Sequence, residues 1–381
     1  MNKNHLMLYD FLLVKGGAEA MTLDLCQQHS DMDLCVGFVN KDIFDDESTM
    51  PTNVFELTGI THLLGWQSIK VANAFSSGKG RIVADYDKVI FSGSNGPVAV
   101  KHRDKSKGGN MLYCHTPPRF IYDLKDHYLS SIPMWQRPLL QILIAYMRPQ
   151  YERAIKQMDV IIANSINIQK RIKHYLGLDS VVIYPPCAID NFKWLKQEDF
   201  YLSTARVEPY KRVKAIVEAF MKMPDKKLVV ASGGSQLPEL QEMAFECSNI
   251  HFTGWCETEQ LRQLMGSCIA TLYLPIEEDF GMSPVESMAA GKPVIGVAEG
   301  GVIETVIDGK TGVLCPANPS VDDIVEAVNE LDTLKSLAMR EDCQIHAKNF
   351  GSEIFFKKMD VLLSTDNDKL AEVAKTLDAS A

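Results

Sequence analysis

Residues 274–301 read LPIEEDFGMSPVESMAAGKPVIGVAEGG. An apolar run, Ala270–Tyr273, precedes the stretch and a second, Pro293–Gly296, lies inside it. The spacing predicts a strand, a loop, a helix over Pro284–Ala290 and a second strand. Ser283 fits the N-cap, Pro284 the first helical position and Glu286 the third. A helix N-terminus offers unpaired N–H groups and positive dipole, which favour an anionic ligand. Glu278 and Glu286 stand eight residues apart across that start. Carboxylates beside an anion site suit hydroxyl donors, so the pattern fits a phosphorylated sugar. Ser283-x-x-Glu286 is equally a capping box, in which Glu286 returns to its own N-cap amide.

The flanking positions extend the pattern through Glu278-x-Phe280-Gly281, Glu286-x-Met288-Ala289-x-Gly291-x-Pro293-Val294, Gly300-Gly301-x-x-Glu304 and Asp308-Gly309-x-Thr311-Gly312. This series closely resembles the E-x7-E region of the retaining glycosyltransferases of family 4. The resemblance implies α/β GT-B architecture, two Rossmann-like domains facing across a cleft.

Composition agrees with an ordinary soluble globular protein. The 381 residues suffice for two domains with full cores, and 46% are hydrophobic. No apolar run approaches a membrane span, and the N-terminus lacks a signal-peptide layout. Nine cysteines, an odd number with no C-x-x-C or zinc-like spacing, point to a reducing cytoplasm. Cys114, Cys187, Cys268 and Cys315 read as small buried hydrophobes. The formal charge of −10 excludes a general nucleic-acid binder. The basic run Lys101-His102-Arg103-Asp104-Lys105-x-Lys107 stands out in the first half. It reads as a solvated loop, with attraction to anionic lipid as the functional alternative.

Apolar runs alternate with amphipathic stretches, the signature of parallel sheets. Strands are expected at His5–Tyr9, Asp33–Val39, Lys88–Ser92, Asn110–His115 and Val160–Asn164. In the second half they fall at Phe200–Ser203, Lys227–Ala231, Ile250–Thr253, Ala270–Tyr273 and Pro293–Gly296. Helices are expected over Ala18–Gln28, Val213–Met221 and Thr258–Gly266. Val181–Phe192, centred on Pro185-Pro186, reads as the hinge. The expected division is an acceptor-binding domain over 1–187, a nucleotide-sugar domain over 188–350, and a C-terminal helix, 351–381, packing back toward the first. The polar Asp366–Ala381 segment is expected to fray. The chain has no G-x-G-x-x-G and no Walker A sequence, and Gly93-Ser94-Asn95-Gly96 reads as a turn alone.

Several residues carry candidate chemistry. Gly16-Gly17 opens the first helix, where backbone can approach a phosphate; the resemblance lays this loop over the donor diphosphate. Arg206 and Lys211 follow the first strand of the second half and suit a leaving diphosphate. Similar Arg-x4-Lys pairs do this in the family. His115, in YCHTPPR, lies at the end of a strand, where parallel sheets bind ligands; the family has a histidine there near the transferred sugar. YCHTPPR, with Ile183-Tyr184-Pro185-Pro186 and Ala163-Asn164-Ser165, resembles the bacterial O-antigen mannosyltransferase subgroup. A departure occurs after Arg148, where Pro149-Gln150-Tyr151 replaces an expected Trp-Asp pair. Gly254-Trp255 is the turn where the resemblance puts the nucleotide base, with Trp255 as core filler the competing reading. Trp135-x-x-Pro138-Leu139-Leu140-x-Ile142-Leu143-Ile144-x-Tyr146 reads as a buried helix, with contact to a membrane-embedded acceptor as the alternative.

The resemblance implies transfer of a hexose with retention, mannose from GDP-mannose being favoured over a UDP-sugar, to a lipid-linked or cell-surface glycan. A polyprenyl-diphosphate-linked acceptor and peripheral contact with the inner face of the cytoplasmic membrane extend that expectation. Catalysis falls to His115, Glu278, Arg206 and Lys211. Donor binding falls to Gly16, Gly17, Arg206, Lys211, Gly254, Trp255, Glu278, Phe280, Gly281, Met282, Ser283 and Glu286. No metal is expected: Asp31-Met32-Asp33 has the letters of a D-x-D motif but lies at an early strand start. A GT-B sugar-nucleotide epimerase and a non-catalytic sugar-nucleotide-binding protein are the competing readings.

Overall fold

The structure, a computed structural model, describes residues 3–14, 16–45, 50–60 and 66–379. The chain divides into two compact units, Met1–Tyr184 with Phe356–Ala381, and Pro185–Phe355. The boundary at 184/185 falls inside the proline-containing stretch Val181–Phe192.

The first unit holds seven parallel strands. In chain order they are β1 (Lys3–Tyr9), β2 (Met32–Val36), β3 (Val54–Glu56), β4 (Tyr86–Ser92), β5 (Asn110–Cys114), β6 (Val160–Ala163) and β7 (Val181–Val182). Their order across the sheet is β3-β2-β1-β4-β5-β6-β7. The second unit holds six: β8 (Tyr201–Ser203), β9 (Leu228–Val230), β10 (Ile250–Phe252), β11 (Thr271–Leu272), β12 (Val294–Val297) and β13 (Gly312–Cys315). These run β10-β9-β8-β11-β12-β13. Every pairing within the two sheets is parallel. Both are therefore doubly wound, and each reverses direction once: between β1 and β4, and between β8 and β11. Ligands of such sheets bind beyond the carboxyl ends of the strands at that reversal.

The strands are apolar on both faces, as burial between helix layers demands. Leu6, Leu8, Val89 and Phe91 are fully buried in the first sheet, and Leu202, Leu272, Val294 and Ile295 in the second. The expected strands all form, five of the ten ending one residue early. Three went unnoticed in the sequence, β3, β7 and β13. The C-terminal segment does not fray over its described length. The helix Leu370–Thr376 buries Leu370 and Ala374, and the Asp378 carboxylate accepts the Val182 amide at 2.9 Å. Residues 380–381 lie outside the described chain. Lys88, buried on β4, donates to the carbonyls of Leu362, Leu363 and Thr365, satisfying the orphan C-terminal carbonyls of the helix Ser352–Ser364.

Two expectations about unit-one surfaces need correction. The basic run is not simply a solvated loop. Arg103 is buried, and its guanidinium donates to Asn110 Oδ1 and to the carbonyls of Val83, Tyr86, Asp87 and Gly108. It ties the segment to the amino ends of β4 and β5 and is unavailable to lipid. The Trp135–Tyr146 segment, for its part, is not a buried helix. It enters the helix Arg137–Ile155, which buries Ile144, Met147 and Tyr151 but exposes Leu139, Ile142 and Tyr146.

Candidate functional site

The reversal point of the second sheet brings together two of the loops singled out in the sequence. Lys211 lies on the loop after β8 and Glu278 on the loop after β11. Their side chains meet at 2.6 Å between Nζ and Oε2, with side-chain exposures of 13% and 18%. Lys211 Nζ also donates to the Tyr273 hydroxyl at 3.3 Å. Burial, then the Glu278 carboxylate, pushes the Tyr273 phenol up, so it stays a neutral hydroxyl. Arg212, which the sequence reading passed over, makes a second bridge. It adopts a left-handed backbone (φ 53°) and bonds Glu299 Oε1 at 2.5 Å and the carbonyls of Leu274 and Pro275 at 3.2 Å. Two cations thus hold the β8 loop to the segment leading to Glu278. Arg206 is exposed and joins neither bridge.

The helix after Glu278 starts earlier than its composition suggests. It runs Met282–Ala289, and its N-cap is Gly281 at φ 97°, ψ 69°. Only glycine takes that conformation freely, so Gly281 decides where the helix begins. Ser283 is then the second helical residue, and no side chain caps the helix. The capping-box reading of Glu286 fails, and the first-turn amides keep their donors free of a side-chain cap. Glu286 instead sits one turn in, half-buried. Burial raises its carboxyl to about 7, opposed by the charge of Arg262.

Gly300-Gly301 explains itself by contact. A Cβ on Gly300 would stand 2.6 Å from the Glu278 amide nitrogen, and one on Gly301 2.6 Å from the Phe280 Cα. The Gly301 amide donates to the Glu278 carbonyl at 2.7 Å. The glycine pair is the floor on which Glu278-Asp279-Phe280 lies, and Phe280 itself is buried.

At the turn after β10, Gly254 is left-handed (φ 70°) and Trp255 is 71% exposed. Trp255 is therefore not core filler. Its indole lies over the backbone of Gly233, where a Cβ would come within 2.3 Å of Nε1.

In the first unit, the carboxyl end of the sheet is built from different chemistry. Asp10, just past β1, accepts the amides of Ser94, Asn95 and Gly96 at 2.7–2.8 Å, and Asn95 Nδ2 at 3.1 Å. Gly93–Gly96 is thus more than a turn: it is the partner that joins the β4 loop to β1. Gly16 is the N-cap of the helix Gly17–Gln28, with no side-chain cap, and Gly17 is exposed. Glu19, in its first turn, is buried and accepts the Tyr9 hydroxyl at 3.2 Å. His115 follows β5, its ring packed edge-on to Tyr113 and Tyr9 at 5.0 and 6.4 Å. Burial lowers its pKa to about 4, so the ring is neutral near pH 7. Its Nε2 is buried without a hydrogen-bond partner among the described residues, an unusual state for a buried polar atom. Asp33 of the D-x-D letters accepts Asn53 and Tyr86, and Asp31 pairs with His5 at the opposite end of the sheet. The structure therefore gathers Lys211, Glu278, Phe280–Ser283 and Glu286 at one reversal point, and Gly16, Gly17 and His115 at the other sheet's ligand end.

Residues 189–350 match the family described as glycosyl transferases group 1. Among curated proteins, the chain is 36% identical over 269 residues to an alpha-1,3/1,6-mannosyltransferase ALG2 from Dictyostelium discoideum, covering 58% of this chain and 61% of that protein. The ALG2 protein of Candida glabrata is 23% identical, covering 77% of this chain and 75% of its own length. The chain thus spans a little over three fifths of the Dictyostelium protein. Among solved structures, Anabaena HepE in complex with UDP and glucose superposes with a TM-score of 0.69 at 18% identity, covering 95% of this chain and 99% of that one. WaaG, a glycosyltransferase involved in lipopolysaccharide biosynthesis, superposes at 0.70 with 12% identity, covering 94% and 99%. These likenesses fix the fold as GT-B, with two Rossmann-like units. The match to the group 1 glycosyltransferases falls within the second unit, and the curated proteins similar to the chain include ALG2 mannosyltransferases.

Proposed function

We propose that the protein is a retaining hexosyltransferase that moves mannose from GDP-mannose to a lipid-linked oligosaccharide. The observation that carries the reading is the Lys211–Glu278 bridge beside the uncapped helix start at Gly281. It sets a cation, a carboxylate and the main-chain amides of a helix start with no side-chain cap at one reversal point, the three groups that a sugar diphosphate needs. In this reading Glu278 holds donor-sugar hydroxyls while the amides of Phe280–Ser283 orient the sugar. Lys211 and Arg206 meet the diphosphate and neutralise the charge that grows as it departs, work that a metal would otherwise do. Glu286 accepts from the ribose, Gly254 and Trp255 meet the base, and Gly16 and Gly17 lie along the phosphates. His115, neutral and with Nε2 unpaired, bonds the transferred sugar. The acceptor oxygen attacks C1 on the face the phosphate leaves. The C1–O bond to the diphosphate breaks, and the acceptor's proton passes to that phosphate. This reading assigns neither glutamate as a covalent nucleophile.

The ALG2 names of the curated relatives support mannose and a glycan acceptor. A UDP-sugar donor is the second reading, supported by the UDP bound to HepE. Purified protein is assayed against GDP- and UDP-sugars with a membrane extract. Transfer of mannose from GDP-mannose into a lipid-extractable product is expected. Product formed only from a UDP-sugar moves the reading to the second donor. A converted nucleotide sugar in the absence of acceptor would show an epimerase, and binding without turnover a non-catalytic protein.

A further inference from the structure

The helix Arg137–Ile155 is apolar on two opposite faces, and only one of them is covered. Leu140, Ile144, Met147 and Tyr151 follow one stripe; the first three pack with Ile121, and Tyr151 enters the main core of the first unit. Leu139, Ile142 and Tyr146 follow the other at spacings of three and four, on the opposite side of a 3.6-residue helix, and Trp135 stands in the short 3-10 turn Met134–Gln136 that leads into it. Trp135 is 72% exposed, Ile142 67%, and Met134 beside them 77%. From Trp135 to Tyr146 the row spans about 16 Å at the rise of a helix. A surface helix ordinarily turns its polar side to water and encloses its apolar one, so this second, uncovered stripe has a missing partner.

Charge and composition say what the partner is. Residues 127–151 contain no Asp or Glu, in a chain of net charge −10. The cations Arg137 and Arg148 lie on the same helix as the row. The other strongly exposed apolar side chains do not share this setting: Phe245 sits between Glu242 and Glu246, and Leu334 follows Asp332. A Trp and two Tyr residues, Trp135, Tyr146 and the exposed Tyr128, are the side chains that favour the boundary between headgroups and acyl chains. No helix among the described residues is long and apolar enough to cross a membrane. An acid-free, aromatic-containing stripe on a surface helix instead lies in the plane of the interface.

We infer that Met134–Tyr146 is a bilayer-docking face, which inserts Trp135, Leu139, Ile142 and Tyr146 among the headgroups of an anionic phospholipid membrane. It deepens the proposal of a lipid-linked acceptor by naming the surface that brings the enzyme to it. It does not depend on the donor, because its test contains neither sugar nucleotide nor acceptor. The full-length protein is sedimented with vesicles of phosphatidylcholine alone and of phosphatidylcholine with 30% (~) phosphatidylglycerol. The comparison is with Leu139→Gln/Ile142→Gln and, separately, Trp135→Ser. All three side chains are exposed, so circular dichroism and melting should match the parent. The parent is expected to bind the anionic vesicles more tightly than the neutral ones and with a blue-shifted tryptophan emission. Each variant should partition at least tenfold more weakly, with the Trp135→Ser variant losing the shift. Unchanged partitioning in the variants, or no vesicle binding by the parent, overturns the inference. So does a parent dimer that the substitutions convert to monomer without any vesicle binding, which would make a second copy of the chain the occupant.

Discussion

The two sheets share one topology and bridge their reversal points in different ways. In the first unit the bridge is Asp10, buried, which accepts three main-chain amides of the β4 loop. In the second it is an ion pair, Lys211 with Glu278, between side chains that water still reaches. A carboxylate buried on amides has no alternative partner and acts as a permanent fastening. An ion pair that water reaches has one, because an arriving phosphate can take the lysine and sugar hydroxyls the carboxylate. The same fold thus has a fixed end and an exchangeable end, and the comparison predicts where substitutions will change activity and where they will change stability.

The largest effect is expected at the exchangeable end. Glu278→Ala should lower turnover by orders of magnitude, since lost orientation of a reacting sugar is worth several (~) kcal/mol. Its unfolding free energy should change by only about 1 kcal/mol, the scale of a partly exposed pair. Steady-state kinetics with denaturant unfolding checks both halves. A large stability loss with activity intact would erase the distinction between the two bridges.

Asp10→Ala should show the reverse. It strands three amides at a buried position, which costs about 3 kcal/mol or more in unfolding free energy. Asp10→Asn keeps one acceptor and should fall between. If the alanine variant melts like the parent, the fastening is not structural, and Asp10 belongs with the site instead.

The two buried titrating groups sharpen the comparison through opposite pH signs. Burial in the first unit lowers His115 to about 4 from 6.5, so its contribution to stability is complete above pH 6.5 and lost as pH falls toward 4. Burial in the second raises Glu286 to about 7 from 4.5, so its contribution is complete below pH 4.5 and lost as pH rises toward 7. Each is bounded at about 3 kcal/mol and should fall short of it, because neither side chain is wholly enclosed. Unfolding of His115→Gln and Glu286→Gln followed from pH 4 to 8 checks this. Relative to the parent, the histidine variant should gain at low pH and the glutamate variant at high pH. Weaker nucleotide binding by a well-folded Glu286→Gln would add support for the ribose role, and normal binding would count against it.

What could be read from the sequence follows the same divide. Apart from Lys211, the second unit's site lies in one contiguous stretch, so spacing and the family resemblance together marked Glu278, Gly281 and the helix. Its error, the N-cap at Ser283, arose because serine is the better cap by composition, whereas the left-handed turn at Gly281 decides the start. Asp10 and its partners lie 84 to 86 residues apart in the chain, and no local pattern connects them. The strand β7 is two residues long and β3 three, too short for alternation to register. The apolar Arg137–Ile155 helix misled because residue type reports hydrophobicity, while packing decides which of two apolar faces is covered.

The smallest effect belongs to Trp255, and it probes the exchangeable end where the chain is least committed. The ring is 71% exposed and rests on the Gly233 backbone rather than in the core. Trp255→Ala should therefore change unfolding free energy by no more than about 0.5 kcal/mol, as surface substitutions do. Stacking of an aromatic side chain on a nucleobase is worth roughly 1–3 kcal/mol, so the same variant should bind the nucleotide on the order of tenfold more weakly. Trp255→Phe keeps a ring and should recover most of that affinity. Gly233→Ala supplies a control of another kind, since its Cβ would displace the indole without removing it. Calorimetric titration of GDP and UDP into the three variants separates the outcomes. Full affinity in Trp255→Ala would leave the base to backbone groups near Gly254, and a loss confined to one nucleotide would identify the base this turn selects.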